Sequence, residues 1–258
     1  MLIDSHCHLD RLDLTPFDHS FERFVEETVR GGVEHMLCVS ITLERFLAMY
    51  DLVRPFPQIS VSVGVHPTES NCQEPSVEDL IRLGQDPRVV AIGETGLDYF
   101  HDDLPPIEQK NRFRVHVEAA RSLSKPLIIH TRDARDDTIS LLSETKASET
   151  GGVFHCFTED WETAKQALDL NFYISLSGIV TFRNAAQIQD VARRVPDDRL
   201  LIETDSPYLA PVPLRGKPNY PGYVRHVCDF VASLRGVSPE ALGDLTANNY
   251  RRLFGSKA

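Results

Sequence analysis

The sequence predicts an α/β fold, a TIM-like (β/α)8 barrel. Eight short apolar or β-branched runs recur along its 258 residues, and longer amphipathic stretches lie between them. The runs are almost continuously hydrophobic, which is typical of parallel strands covered on both faces. Eight such repeats in about 250 residues is the count of this barrel. A doubly wound open sheet is the alternative, but no glycine-rich phosphate loop follows the first run.

The predicted strands and helices follow one another along the chain. The strands cover residues 2–4, 35–41, 59–65, 89–93, 126–129, 152–154, 172–179 and 200–202. Helical periodicity is present in residues 18–32, 107–124 and 159–170.

Two local signals refine this prediction. In the central helix, Phe113, Val117 and Ala120 fall on one face, which we expect to be buried. Near the C-terminus, Ser238 followed by Pro239 predicts a helix start. Residues 206–223 carry five prolines and predict a long ordered loop after the last strand.

Composition predicts one domain spanning residues 1–258. Hydrophobic residues make up 41% and charged residues 25%, as in ordinary globular domains. No apolar run reaches the roughly 18 residues of a membrane helix, and residues 1–6 lack the features of a signal peptide. The five cysteines are odd in number and form no CxxC pair, which favours reduced thiols. We therefore expect a cytoplasmic protein that does not enter a membrane.

The charge balance limits how a nucleic acid could be held. Twenty-seven basic residues against 38 acidic residues give a formal net charge of −11. Proteins that cover nucleic acid with a broad surface are usually basic. A phosphate-bearing substrate must therefore be bound locally, by a few cations or by metal ions.

Residues able to bind metal follow five of the apolar runs. Because the carboxyl ends of all barrel strands converge on one mouth, we expect these side chains to meet there. They are His6, His8, Glu94, His130, His155 and Asp205.

The spacing of the first two histidines is informative. On a strand, residues i and i+2 share a face, so His6 and His8 point inward while Cys7 points away. Any one histidine alone is more often a satisfied core or surface residue, but four histidines with two carboxylates at strand ends favour a metal site. Cys156 adjoins His155 and, like Cys7, is interpreted as a packing residue.

Six donors exceed what a single catalytic zinc needs. We therefore expect two divalent ions, with Glu94 between them. His6, His8 and Asp205 would bind one ion, and His130 and His155 the other. Histidine ligands allow Zn, Mn, Co or Ni, and the carboxylates leave Mg open.

These residues lie in blocks that resemble the TatD family of metal-dependent deoxyribonucleases, within the amidohydrolase-like metallo-barrels. The similarity extends from residue 1 to about residue 255 in the family's order. The matching blocks are DSHCHLD at 4–10, GVHP at 64–67, IGETGLD at 92–98, IHTRDA at 129–134, FHCF at 154–157 and IETDSP at 202–207.

The resemblance implies a TIM-like barrel, divalent metals, the same six ligands and hydrolysis of DNA phosphodiester bonds by a metal-activated water. Other amidohydrolase-like barrels place a bridging lysine on the fourth strand, where this sequence has Glu94. That departure favours the nuclease branch over the branches that hydrolyse amides and esters.

Catalytic roles are predicted for four residues. Asp205 can accept the proton of the attacking water, and Glu94 joins the two ions. His66 could contact the phosphate or protonate the leaving oxygen, or it could be a buried histidine of the ligand shell. Arg132 could bind a phosphate with two hydrogen bonds or pair with an acid such as Asp133.

Other residues near the mouth keep two interpretations. Glu203 could support the ligands or form a salt bridge inside the barrel. A second set could contact a nucleic acid or serve packing and solvation only; it comprises Arg183, Arg215, Lys217, Tyr99, Phe100 and Trp161.

The sequence thus predicts a metal-dependent deoxyribonuclease acting on single strands or ends, with DNA, or RNA, as its partner and no obligate protein partner. A hydrolase of amides, esters or lactones on the same site is one alternative. A metal-binding barrel without catalysis is the other.

Overall fold

Eight parallel strands form one sheet in the order β1 to β8. The computed structural model describes residues 1–255, so residues 256–258 of the predicted domain lie outside the described part. The strands are β1 Leu2–Cys7, β2 Val33–Cys38, β3 Ile59–Val63, β4 Val89–Asp98, β5 Leu127–Arg132, β6 Gly152–Phe154, β7 Phe172–Leu176 and β8 Leu200–Ile202.

The ends of this sheet meet, so the prediction of a barrel is confirmed and the open sheet is excluded. A parallel bridge joins Cys7 to Ser206 just beyond β8. The backbone N–H of Asp205 donates to the carbonyl of His6 over 3.0 Å. A buried carboxylate reinforces the seam, because Asp4 accepts from the backbone N–H of Thr204 over 2.9 Å.

Helices alternate with the strands and cover the outside of the barrel. They are α1 Phe21–Arg30, α2 Leu43–Val53, α3 Val77–Gly84, α4 Pro106–Leu123, α5 Arg135–Glu144, α6 Trp161–Asp169, α7 Ala186–Arg194, α8 Val224–Arg235 and α9 Pro239–Phe254. No helix among residues 1–255 has the length and apolarity needed to cross a membrane.

Capping explains where several helices begin. The predicted start of α1 at residue 18 is too early, because the Ser20 side chain accepts from Arg23 N and caps the helix. Asp160 caps α6 in the same way, so that helix begins at Trp161 and not at residue 159 as predicted. The predicted start of α9 is confirmed, with Ser238 accepting from Ala241 N.

Several predicted strand ends were wrong. Strands β1, β4 and β5 continue to Cys7, Asp98 and Arg132, because polar residues that resemble a loop in the sequence remain paired in the ladder. Strands β2 and β3 end earlier than predicted, at Cys38 and Val63. Strand β7 likewise ends at residue 176 and a short 3₁₀ helix follows. As a result, three of the predicted metal-binding residues, in β1, β4 and β5, lie within strands.

Two apolar layers leave one end of the barrel open. The predicted helix face is confirmed, since Phe113, Val117 and Ala120 are buried between α4 and the sheet. Inside the barrel, strand residues pack against Tyr250 and Phe254 of α9. Helix α9 therefore fills the amino-terminal end of the barrel, and the carboxyl-terminal mouth carries the polar side chains.

The close approach of β4 and β5 beside the mouth requires a glycine at position 96. Gly96 in β4 has φ +143°, a conformation that other residues rarely adopt, and a Cβ there would lie 1.9 Å from the carbonyl oxygen of His130. The glycine thus allows β4 and β5 to pair beside the predicted ligands.

We expect Gly96→Ala to lower the free energy of unfolding by about 3 kcal/mol or more, since it adds both backbone strain and a clash with backbone. Gly236→Ala is the matched control, because Gly236 has φ +67° but no neighbouring atom within 4 Å of the added Cβ. That variant should lose only about 1 kcal/mol. Urea denaturation measures both, and equal losses would contradict the close-approach explanation.

Candidate metal centre

A cavity of about 920 Å³ opens at the carboxyl-terminal mouth of the barrel. Five of the six predicted metal ligands line it, and the sixth, His6, lies beneath them fully buried. The ligating atoms divide into two groups around one carboxylate.

The first group joins the end of β1 to the segment after β8. His6 Nε2 and His8 Nε2 are 3.4 Å apart. His8 Nε2 is 3.4 Å from Asp205 Oδ1, and His6 Nε2 is 3.4 Å from Glu94 Oε2. The expected inward pairing of the two histidines is thus present, with Cys7 turned away toward the carbonyl of Leu37.

The second group surrounds the other oxygen of the same carboxylate. Glu94 Oε1 lies 2.7 Å from His155 Nε2 and 3.2 Å from His130 Nδ1. His66 Nε2 is also within 3.3 Å of Glu94 Oε1. Each oxygen of Glu94 therefore faces a different set of imidazoles, as a carboxylate between two ions would.

Further acidic side chains hold the outer nitrogens of the ligand rings. His130 Nε2 is 2.9 Å from Asp98 Oδ2, and His155 Nδ1 is 3.2 Å from Glu203 Oε1. Such contacts fix ring orientation and make imidazoles better metal ligands. Glu203 thus supports a ligand, as one of its two interpretations proposed. No role was predicted for Asp98, although its position four residues after Glu94 on one strand puts both on the same face.

Burial and charge oppose each other at this centre. Burial alone would raise the pKa of Glu94, but the imidazoles of His155, His66 and His130 outweigh it and hold that pKa well below its ordinary value. Burial would lower the pKa of His155, yet Glu94 and Glu203 raise it well above the ordinary value. A buried carboxylate thus stays ionised only beside positive charge.

The residues present fit divalent ions. Four oxygen and nitrogen donors around zinc stand about 3.3 Å apart when each bond is about 2.0–2.1 Å long. The shorter separations in the first group are 3.4 Å and the longer ones 3.8 Å. Moreover, His155 Nε2 is buried without a well-aligned hydrogen bond to any described residue. Once it has lost its proton, that nitrogen is suited to a cation.

His66 is held in one tautomer. The backbone N–H of Thr68 donates to His66 Nδ1 over 3.2 Å, so Nδ1 is an acceptor and the ring proton lies on Nε2. Burial lowers the pKa of His66 to about 4, which leaves the ring neutral at pH 7. His66 therefore presents an N–H group to Glu94 at the cavity wall.

Arg132 lies at the end of β5 and lines the cavity. Its guanidinium stacks 3.8 Å above the ring of Phe100, and no ion pair with Asp133 is found within residues 1–255. The predicted alternative of a pair with Asp133 is therefore not observed. Stacking fixes the plane of the guanidinium while its N–H groups stay available.

The remaining predicted mouth residues are mostly engaged in packing. Tyr99 donates its hydroxyl to Asp137, and Trp161 lies under the guanidinium of Arg194 at 4.3 Å. Arg215 stacks on Phe182 at 4.3 Å. Cys156 lines the cavity with its sulfur 3.0 Å from the hydroxyl of Ser177. Arg183 and Lys217 have no described contact that bears on the site.

Helix α4 supports the mouth with three polar side chains that sequence reasoning missed. Gln109, Arg112 and His116 share one helix face and are at most 3% exposed. Gln109 bonds the backbone of Asp98, Arg112 donates to the carbonyl of His66 over 2.7 Å, and His116 accepts from the backbone N–H of Val65. Amphipathic periodicity could not reveal this, because the buried face of α4 is partly polar.

Fold and donor set together define the class of protein: a (β/α)8 metal-dependent hydrolase with its site at the mouth of the barrel. The sequence model for TatD related DNase matches residues 3–255. The chain therefore belongs to the TatD family of metal-dependent hydrolases.

Individual relatives agree with this assignment. The uncharacterised metal-dependent hydrolase YcfH of Escherichia coli K12 is 51% identical, covering 98% of this chain and 95% of that protein. The 3′-5′ ssDNA/RNA exonuclease TatD of Salmonella typhimurium is 34% identical, covering 89% and 91%. The crystal structure of YjjV, a TatD homologue from Escherichia coli K12, superposes with a TM-score of 0.91 at 26% identity, covering 99% of this chain and 98% of that one.

We expect Glu94→Ala to bind less metal than the parent and to lose hydrolysis while remaining folded, because one side chain faces both donor groups. Glu69→Ala is the matched control, since Glu69 lines the same cavity and belongs to neither group. Elemental analysis of the purified variants measures the change. Full metal occupancy in Glu94→Ala would remove Glu94 from the ligand set.

Proposed function

We propose that this protein is a metal-dependent phosphodiesterase that hydrolyses DNA, acting on single strands or strand ends. The observation that carries the proposal is the carboxylate of Glu94, whose two oxygens face two separate donor groups at the floor of an open cavity. Two-ion sites of this kind are typical of nucleases and phosphatases. The relative named as a 3′-5′ ssDNA/RNA exonuclease supports the same substrate class and keeps RNA within it.

The proposed ligands follow the two groups. His6, His8 and Asp205 would hold one ion, His130 and His155 the other, and Glu94 would contact both. When bound, divalent Mg, Mn, Zn, Co or Ni would lower the pKa of a water and neutralise charge on the phosphoryl oxygens.

Asp205 is proposed as the proton acceptor. Burial would raise the pKa of its carboxyl, but the hydrogen bond from His8 and the charges of His6 and His155 lower it below the ordinary value. The side chain is therefore anionic at neutral pH, and it lines the cavity where substrate would enter. An anionic carboxylate in that position can take the proton of an attacking water.

Two further residues would act on the phosphate. Arg132, oriented by Phe100, can donate two hydrogen bonds to phosphoryl oxygens. His66 carries its proton on Nε2, beside Glu94, and can donate it in a hydrogen bond to a phosphoryl or leaving oxygen. Both proposed roles require the substrate to reach the floor of the cavity, which a splayed single strand does more easily than a duplex.

The alternatives make different demands on the site. A purely structural metal site is closed, whereas these donors line an open cavity. If the same donors served amide, ester or lactone hydrolysis, the enzyme would hydrolyse those substrates and would not cleave oligonucleotides. For localisation we propose the cytoplasm, supported by five cysteines that are all free.

We expect Asp205→Asn to lower turnover at least about a hundredfold, because the amide keeps a metal-binding oxygen but cannot accept the proton. Oligonucleotide binding should be largely retained. Single-turnover cleavage of 3′-labelled and 5′-labelled strands measures the rate. If the variant cleaves at the parental rate, another group accepts the proton and the role proposed for Asp205 is wrong.

We also expect oligonucleotide binding to depend only weakly on salt. With a net charge of −11, contact should be limited to about two to four phosphates, each adding about −0.7 to the logarithmic salt slope of a single strand. Fluorescence anisotropy at several salt concentrations gives this slope. A slope equivalent to eight or more phosphates would point to a basic surface and against local binding.

A further inference from the structure

The cavity wall contains two arginines, Arg11 and Arg132, and neither forms an ion pair with any described carboxylate. This is unusual in a chain with 38 acidic residues, five of which, Glu69, Glu94, Asp133, Glu159 and Asp205, line the same cavity. An arginine that is left without a carboxylate beside a metal centre is available for another anion.

The two arginines lie on opposite sides of the mouth. Arg11 follows β1 and Arg132 ends β5, four strands apart in an eight-stranded barrel. Each contacts an aromatic ring from the neighbouring strand end. Arg132 stacks on Phe100, after β4, and Arg11 Nη1 donates to the hydroxyl of Tyr208, after β8, over 3.3 Å. These rings are 56% and 48% exposed, respectively.

Short turns connect Arg11 and Tyr208 to His8 and Asp205 of the first donor group. The backbone N–H of Arg11 donates to the carbonyl of His8 over 3.1 Å, and that of Tyr208 donates to the carbonyl of Asp205 over 2.9 Å. The Tyr208 ring also meets the His8 ring edge to face, with centroids 6.1 Å apart. Arg11 Nε is buried and has no hydrogen-bond partner among the described residues. That nitrogen is out of reach of a ligand, but Arg11 lines the cavity, where the other N–H groups of its guanidinium can meet one.

We propose that Arg11 and Tyr208 form a second nucleotide subsite, opposite Arg132 and Phe100. Arg11 binds the phosphate next to the scissile phosphate, and Tyr208 stacks on the base of that nucleotide. This inference rests on the proposed DNA hydrolysis and adds to it the way the strand lies: across the mouth, from the Arg132 side to the Arg11 side. A base stacked on an exposed ring and a phosphate on a guanidinium are the usual contacts of single-stranded nucleic acids.

Substrate length tests the subsite with the metal-loaded enzyme. The dinucleotide (dT)2 has only the scissile phosphate, whereas the trinucleotide (dT)3 has one more. We expect the parent to show a higher kcat/KM for (dT)3, and Arg11→Ala to reduce the ratio of the two values at least about tenfold, the effect of a lost charged hydrogen bond. Arg11→Lys should restore part of the ratio, because it keeps the charge.

Arg193→Ala is the charge-matched control, since Arg193 is exposed in the last turn of α7, at the far end of the barrel. It should keep the parental ratio. Tyr208→Ala tests stacking with a substrate that lacks the base of the neighbouring nucleotide. Loss of that base should slow cleavage by the parent several-fold, but should slow cleavage by Tyr208→Ala only slightly. Thermal melting and metal content of each variant verify that the fold and the centre are intact.

The outcomes separate the two proposals. A parent that cleaves (dT)3 faster than (dT)2, with an unchanged ratio in Arg11→Ala, overturns the second subsite and leaves the nuclease function standing. A parent that cleaves neither oligonucleotide overturns the nuclease function and the subsite with it.

Discussion

A buried carboxylate enclosed by imidazoles is the interaction on which the mouth of this barrel depends. Glu94 is 2% exposed, and a charge so far from water is costly unless cations or hydrogen bonds compensate it. His6 and His8 approach one oxygen, and His130 and His155 approach the other. Divalent ions would complete the compensation, so stability and chemistry at this end of the barrel have the same source.

The scaffold is arranged to keep that carboxylate in place. Strand β4 stays in the ladder on both sides of Glu94, with a register irregularity between Ile92 and Thr95, and Gly96 lets β5 approach closely. Asp98 and Glu203 orient ligand rings from behind. Because α4 bonds the backbone at the ends of β3 and β4, a polar helix face outside the barrel supports the donors inside it.

Sequence reasoning predicted the fold and the approach of six donors, because both follow from repeated strands whose carboxyl ends converge. It left contacts open, or missed them, where the partners are distant in sequence. The contact between His155 and Glu203 joins residues 48 positions apart, and that between Arg112 and the carbonyl of His66 spans 46. Nothing in local periodicity reports such pairs. Strand ends were misjudged for a related reason, since His130 and Arg132 look like loop residues but pair in the ladder.

The charge pattern has a consequence for recognition. In a chain of net charge −11, the positive charge at the mouth comes from Arg11, Arg132 and any bound ions. Substrate would therefore be recognised by a few directed contacts rather than by long-range attraction. In the proposed function, the aromatic rings beside both arginines would extend those contacts to the bases of a single strand.

The central claim is that Glu94 joins two divalent ions, and manganese titration of the metal-depleted protein tests it most directly. The claim predicts two bound equivalents and an electron paramagnetic resonance spectrum of an exchange-coupled pair, because one carboxylate would contact both ions. Saturation at one equivalent with the six-line spectrum of isolated Mn²⁺ would contradict it.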